Sequence, residues 1–112
     1  MRIHTDHNGV DVNAISSVAG GKNVEGHLYQ LQAGGNSSTI SFQQGGVAAN
    51  GVNGITSESL IAILIHRIKF LNNQFPCPEN ARALNHLDEA MANLEVRTAR
   101  RMLRGVEGRE VA

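Results

Sequence analysis

The sequence predicts an α+β protein: a small N-terminal antiparallel β-sheet followed by a two-helix antiparallel hairpin, assembled as an oligomer. Three observations predict it. The first half is poor in charge, rich in Gly, Ser and Asn, and carries short runs in which apolar and polar residues alternate. From residue 57 onward, apolar residues recur at spacings of three and four instead. Between the two helical runs stands only a short connection, Asn72-Asn73-Gln74-Phe75-Pro76, which forces the helices to run antiparallel.

Each element follows from local chemistry. Asn8-Gly9, between RIHTDH and VDV, is a two-residue hairpin signal over residues 1–12. Residues 13–23, with SSVAGGKN, read as a further turn. VEGHLYQLQ and STISFQ read as strands, giving a hairpin or small sheet over 24–43, with His27, Tyr29 and Leu31 on one face and Ala33–Ser37 as the loop between them. Residues 44–56 read as a loop in which small residues permit close backbone approach, and Val47, Val52 and Ile55 are candidates to anchor it. The first helix is expected over 57–72, capped by Thr56 or Ser57. Leu60, Ile61, Leu64, Ile65, Ile68 and Leu71 form its stripe, while Ile63 and Phe70 fall off it. That second apolar side predicts burial against a neighbouring subunit. The second helix starts at Pro78 after the cap position Cys77 and reaches Leu103 or Arg104, where Gly105 stops it. The chain is read as one domain over 1–112, with a β-rich portion (1–43), a Gly-rich loop (44–56), the helical hairpin (57–104) and a tail (105–112) expected to be partly mobile.

Composition excludes several classes. Ten Lys+Arg balance ten Asp+Glu, so the whole molecule has no electrostatic pull toward nucleic acid or an anionic membrane. The balance is uneven along the chain: only Arg2 and Lys22 are basic before Arg67. One cysteine, Cys77, rules out an internal disulfide framework. There is no apolar run of membrane-spanning length and no signal-peptide pattern at the start, which predicts a soluble, cytosolic protein.

Two places invite a ligand. Arg97, Arg100, Arg101 and Arg104 crowd the end of the second helix with no acid among them, and Arg97, Arg101 and Arg104 share a face. Guanidinium groups match phosphate oxygens in pairs. The opposing reading is a solvated cluster favoured by the helix dipole, or pairing with Glu95 and Glu107. The loop Gly51-Val52-Asn53-Gly54-Ile55-Thr56, just before a helix N-terminus, is the second place, because exposed backbone N–H groups hold anions there; a purely structural turn is the opposing reading. His4 and His7 lack a third partner close in sequence, so no metal and no cofactor is expected. No nucleophile–base pattern or catalytic residue is recognisable.

The order ISFQ, GVNGIT, LIAILIHRI, the C-x-E-N-A pattern from Cys77 to Ala81, RTARR and RGVEG, spread over residues 39–108, resembles the C-terminal region shared by two phage counter-defence families. These are the Thoeris anti-defence sponges and the anti-CBASS cyclic-nucleotide sponges, and the β-rich portion before the helices is nearer the Thoeris type. The chain departs from the family in having Gly45-Gly46 where relatives tend to have Gly-Pro.

The resemblance implies a non-enzymatic role in the host bacterial cytoplasm: sequestering the cyclic nucleotide messenger of a defence system. Its ligands would be cyclic ADP-ribose isomers, with cyclic di- or trinucleotides as a second class, bound by a homodimer or homohexamer. It further implies a ligand site of Phe70, Asn80, Arg97 and Arg101, and Asn53, Gly54 and Thr56 are the candidates for a second pocket. Asn80 and Arg97 on one helix lie about 25 Å apart, so the first site would be shared between subunits. The competing readings are an enzyme that degrades such messengers and a small nucleic-acid-binding module using the arginines. Neutral charge and few aromatics argue against the second.

Overall fold

The computed structural model describes residues 1–19 and 21–109. The chain divides into two compact units, Met1–Ile55 and Thr56–Ala112.

The first unit is a four-stranded antiparallel meander in the order β1-β2-β3-β4: β1 Arg2–Thr5, β2 Asp11–Ala19, β3 Lys22–Ala33 and β4 Asn36–Ser41. The β3–β4 connection is tighter than the Ala33–Ser37 loop expected. Ala33 pairs with Asn36, and Gly34 takes φ 59°, the positive value a two-residue hairpin needs. At the first turn the reverse holds. Asn8-Gly9 does not close a two-residue hairpin, because the Asp6 carboxylate accepts N–H bonds from Asn8 (2.9 Å) and Val10 (3.0 Å) and holds residues 6–10 as a wider loop. The turn expected across 13–23 is displaced as well. Residues 13–19 continue β2, since Val12 and Ala14 find Leu31 and Tyr29 opposite them on β3. Within that displaced turn, Gly20 lies outside the described residues.

Register sorts the sheet into two faces. Val12, Ala14, Tyr29, Leu31 and Ile40 share one. The Phe42 ring meets Tyr29 edge-on, with centroids 5.7 Å apart at 87°. Asn13, Gln30 and Thr39 face the other way, with Asp11, Gln32 and Ser37 in the next row. The pairing of β2 with β3 shifts between Ile15 and Ser17, beside Gly26 at φ 86°.

The Gly-rich loop is ordered by carboxamides. Its base closes where Phe42 and Ile55 form a parallel bridge, with Gln43 N–H donating to the Ile55 carbonyl at 2.9 Å. Gln43 Nε2 donates to the Gly51 carbonyl at 2.7 Å, while its Oε1 accepts from Asn53 N–H at 2.9 Å. A single helical turn, α1 (Val47–Asn50), interrupts what reads in sequence as plain loop. Ile55 is half-buried as an anchor should be, but Val47 and Val52 are exposed and anchor nothing.

In the second unit, α2 (Ser57–Gln74) begins at Thr56, whose Oγ1 accepts from Ser59 N–H at 3.1 Å, and it runs two residues past the expected Asn72. α3 (Pro78–Leu103) is capped by Cys77, with Pro78 in its first turn. The Asn72 side chain accepts from Cys77 N–H at 3.1 Å and braces the connection. Neither helix is long and apolar enough to cross a membrane.

Neither unit contains a fully enclosed centre. Among the described residues no apolar side chain is buried, and Ile63 remains 61% exposed. The accessible area is 8111 Å². Even two separate compact bodies of half this mass would together expose only about 7,200 Å².

Gly54 leaves no room for a side chain. A Cβ there would stand 2.6 Å from the Phe42 carbonyl oxygen and 2.7 Å from the Gln43 nitrogen, both backbone atoms that cannot rotate away. Gly54→Ala is therefore expected to destabilise the chain by at least about 2 kcal/mol, measured as a lowered urea midpoint at unchanged slope. The N–H bond from Val10 chiefly holds the Asp6 carboxyl below the usual aspartate range; desolvation opposes it, and the N–H bond from Asn8 adds a lesser lowering. A depressed value means that this contact stabilises the loop fully above the ordinary aspartate pKa and loses that contribution as pH falls through the lowered one. Amide shifts of Asn8 and Val10 in an NMR titration should report the loss there, and Asp6→Asn should abolish the step.

Candidate functional site

The arginine cluster is positioned by a mismatch in helix length. α3 has 26 residues and α2 has 18. Paired antiparallel from a short connection, the last turns of α3 run on past the start of α2, and Arg97, Arg100, Arg101 and Arg104 lie on that extension. Arg97 and Arg100 are exposed and form no ion pair among the described residues.

Arg101 differs. It is 6% exposed, the one polar residue buried among those described. Its Nε donates to Oε2 of Glu107 at 2.9 Å, and its Nη2 donates to the carbonyls of Val106 (3.0 Å) and Arg109 (2.6 Å). The backbone that allows this begins at Gly105, φ 71°. Gly105 N–H donates to the Met102 carbonyl at 3.1 Å and Val106 N–H to the Arg101 carbonyl at 3.0 Å, the paired bonds that end a helix with a left-handed residue. Gly108, φ 82°, then turns the chain so that Arg109 N–H reaches the Val106 carbonyl at 3.0 Å. The tail through Arg109 is thus an ordered hook; the last part of the expected mobile tail, residues 110–112, lies outside the described residues.

Phe70 is 51% exposed and ends a shallow groove along α2 with Ala62, Ile63, His66 and Arg67. These residues recur at spacings of three and four, so they form a second stripe beside the one that meets α3. Asn80 sits half-buried in the first turn of α3, where its N–H donates to Cys77 Sγ at 3.4 Å and its side-chain amide has no partner among the described residues. Phe70 and Asn80 therefore occupy the connection end of the hairpin. Arg97 and Arg101 occupy the opposite end, about 25 Å along α3 from Asn80. One chain places the two halves of the sequence-predicted quartet at opposite ends of the hairpin and does not bring them together.

The second set has local duties. Asn53 Oδ1 accepts from Gln44 N–H at 2.8 Å and Nδ2 donates to the Gln44 carbonyl at 2.8 Å, so the carboxamide acts as a strand partner for Gln44. Gly54 provides the close approach to Phe42, and Thr56 caps α2. Any ligand at this loop would meet exposed backbone and the outer edges of these groups.

Reading the sequence alone does not find His66 and Arg67 beside Phe70, although their spacing of four and three residues from it carries the signal. Nor does it find Gln43 as the loop's organiser. The opposing reading of the cluster, pairing with Glu107, holds at Arg101; the backbone hook that makes it possible is foreshadowed only by the two glycines of RGVEG.

Comparison with known proteins gives this arrangement a context. The family model described as Acb2/Tad1, hairpin domain, matches residues 36–99, from the start of β4 into the last turns of α3. The chain is also 48% identical over 75 residues to Thoeris anti-defense 1 of Bacillus phage SBSphiJ7, a match covering 66% of this chain and 53% of the relative. The chain thus spans about half the length of the curated relative it matches. With the matched stretch taking in more than half the sequence, including α2, most of α3 and the loop that leads into them, the chain belongs to the Acb2/Tad1 hairpin family.

Proposed function

We propose that the chain is a phage anti-defence protein that captures cyclic nucleotide immune messengers in the host bacterial cytoplasm and holds them uncleaved. Cyclic ADP-ribose isomers are the first ligand class, and cyclic di- or trinucleotides the second. The observation that carries this reading is the division of the site: a half-exposed aromatic ring at one end of the hairpin and two arginines, exposed Arg97 and enclosed Arg101, at the other, too far apart for one small ligand. Two copies set head to tail bring the ring of one to the arginines of its partner. In that shared pocket Phe70 stacks on a base, Asn80 hydrogen-bonds base or ribose, and Arg97 and Arg101 hold the phosphates. The unburied apolar stripe on α2 supports the same assembly, because covering it with a second copy removes apolar area from water. The loop with Asn53, Gly54 and Thr56 is the proposed place for a cyclic di- or trinucleotide at a further interface in a hexamer.

Calorimetry with cyclic ADP-ribose isomers, together with the mass of the protein in solution, tests the reading. A dimer or hexamer binding about one ligand per shared pocket is expected; a monomer that binds none refutes it. Heating the complex should release intact messenger, and recovery of cleaved product would favour an enzyme instead. Arg97→Ala should weaken binding by about 2 kcal/mol or more, because a charged hydrogen bond to a sequestered phosphate is lost. Unchanged affinity in that variant would move the pocket elsewhere.

A further inference from the structure

Arg101 is assigned to the messenger's phosphates in the reading above, yet its guanidinium is enclosed by the chain's own C-terminal hook. Nε meets the Glu107 carboxylate, and Nη2 meets two carbonyl oxygens from Val106 and Arg109. One carboxylate and two carbonyls around a guanidinium reproduce the oxygen-rich shell that a phosphate offers. A phosphate cannot reach a side chain that is 6% exposed without moving these groups.

We infer that the segment Val106–Arg109 is a built-in occupant of the anion site, and that a nucleotide is captured by displacing the Glu107 carboxylate from Arg101. The inference rests on the proposed function, because it takes Arg101 to be a ligand residue. Exchange of one anion for another leaves the cation paired throughout, avoiding the large penalty of an unpaired buried charge. The hook also sets a threshold. A weakly held monoanion does not match the carboxylate and both carbonyls, whereas a pyrophosphate presents several oxygens and more charge to the same donors. The backbone is suited to the exchange. The bonds from Gly105 N–H to Met102 and from Val106 N–H to Arg101 involve only main chain, so the end of α3 keeps its form when the guanidinium lets go. Beyond it, Gly108 at φ 82° gives residues 107–109 a hinge free of side-chain strain.

The test pairs one variant with two measurements on the full-length protein. Glu107→Gln keeps the shape of the hook and removes its charge. Hydrogen exchange over residues 105–109 should quicken in this variant, and should quicken in the unaltered protein when cyclic ADP-ribose is added. Calorimetry with the same ligand should show the variant binding about fivefold more tightly, the difference between a charged and a neutral hydrogen bond to a guanidinium. Exchange unaltered by the substitution would overturn the hook as a charge-held contact, whatever the ligand does. Equal or weaker binding by the variant, with the unaltered protein still binding, would overturn the competition alone and make Glu107 a positioning residue for Arg101. Binding by neither protein, with the hook opened by the substitution, would overturn the messenger reading and the competition with it.

Discussion

Apolar surface on α2 that its own hairpin partner leaves uncovered is the constraint on which the rest depends. Leu60, Ile61, Ile65, Ile68 and Leu71 are half-buried, while Ile63, Leu64 and Phe70 stay exposed. A helix apolar on more than one side leaves surface in water that covering by a second body would make more stable. With no apolar side chain enclosed among the described residues, a single copy retains little hydrophobic driving force for so much ordered backbone. The same uncovered stripe carries Phe70, so the surface that the proposed assembly covers and the ring that the proposed ligand meets share one helix face.

Charge is handled at the other end by a different device. Arginines spaced by three and four on a helix repel one another, and the overhang of α3 leaves them without α2 beside them. The hook answers this locally by bringing the Glu107 carboxylate to Arg101. Arg97 and Arg100 stay outside it. The outcome is one enclosed cation beside exposed ones, which is a different surface from four equivalent arginines. In the first unit, the carboxamides of Gln43 and Asn53 hold the Gly-rich loop shut with hydrogen bonds and no net charge.

Local chemistry shows through the sequence where one residue decides one torsion or one bond. Thr56 caps α2, Pro78 opens α3 and Gly105 closes it, as their types imply, while Cys77, a mediocre cap by type, still accepts from Asn80 N–H. Turns were less legible, because competing bonds choose among them. Asn8-Gly9 yields to the Asp6 carboxylate, and Ser17 continues a strand because β3 places Val24 opposite it. The candidate site was legible as residue types, an aromatic, an amide and arginines. Its division into two ends was legible only as a count of residues along α3.

The sequence by itself determined the α+β order, both helices to within two residues at their ends, and the separation of Phe70 and Asn80 from the arginines, because helical rise and capping are short-range. Only the tertiary structure decided that β2 and β3 pair over most of their length, that Gly54 sits against the Phe42 backbone, and that Arg101 is enclosed while Arg97 is not. Those outcomes turn on which groups meet after the chain folds back, and spacing along the chain carries no record of which of several arginines a carboxylate six residues away will reach.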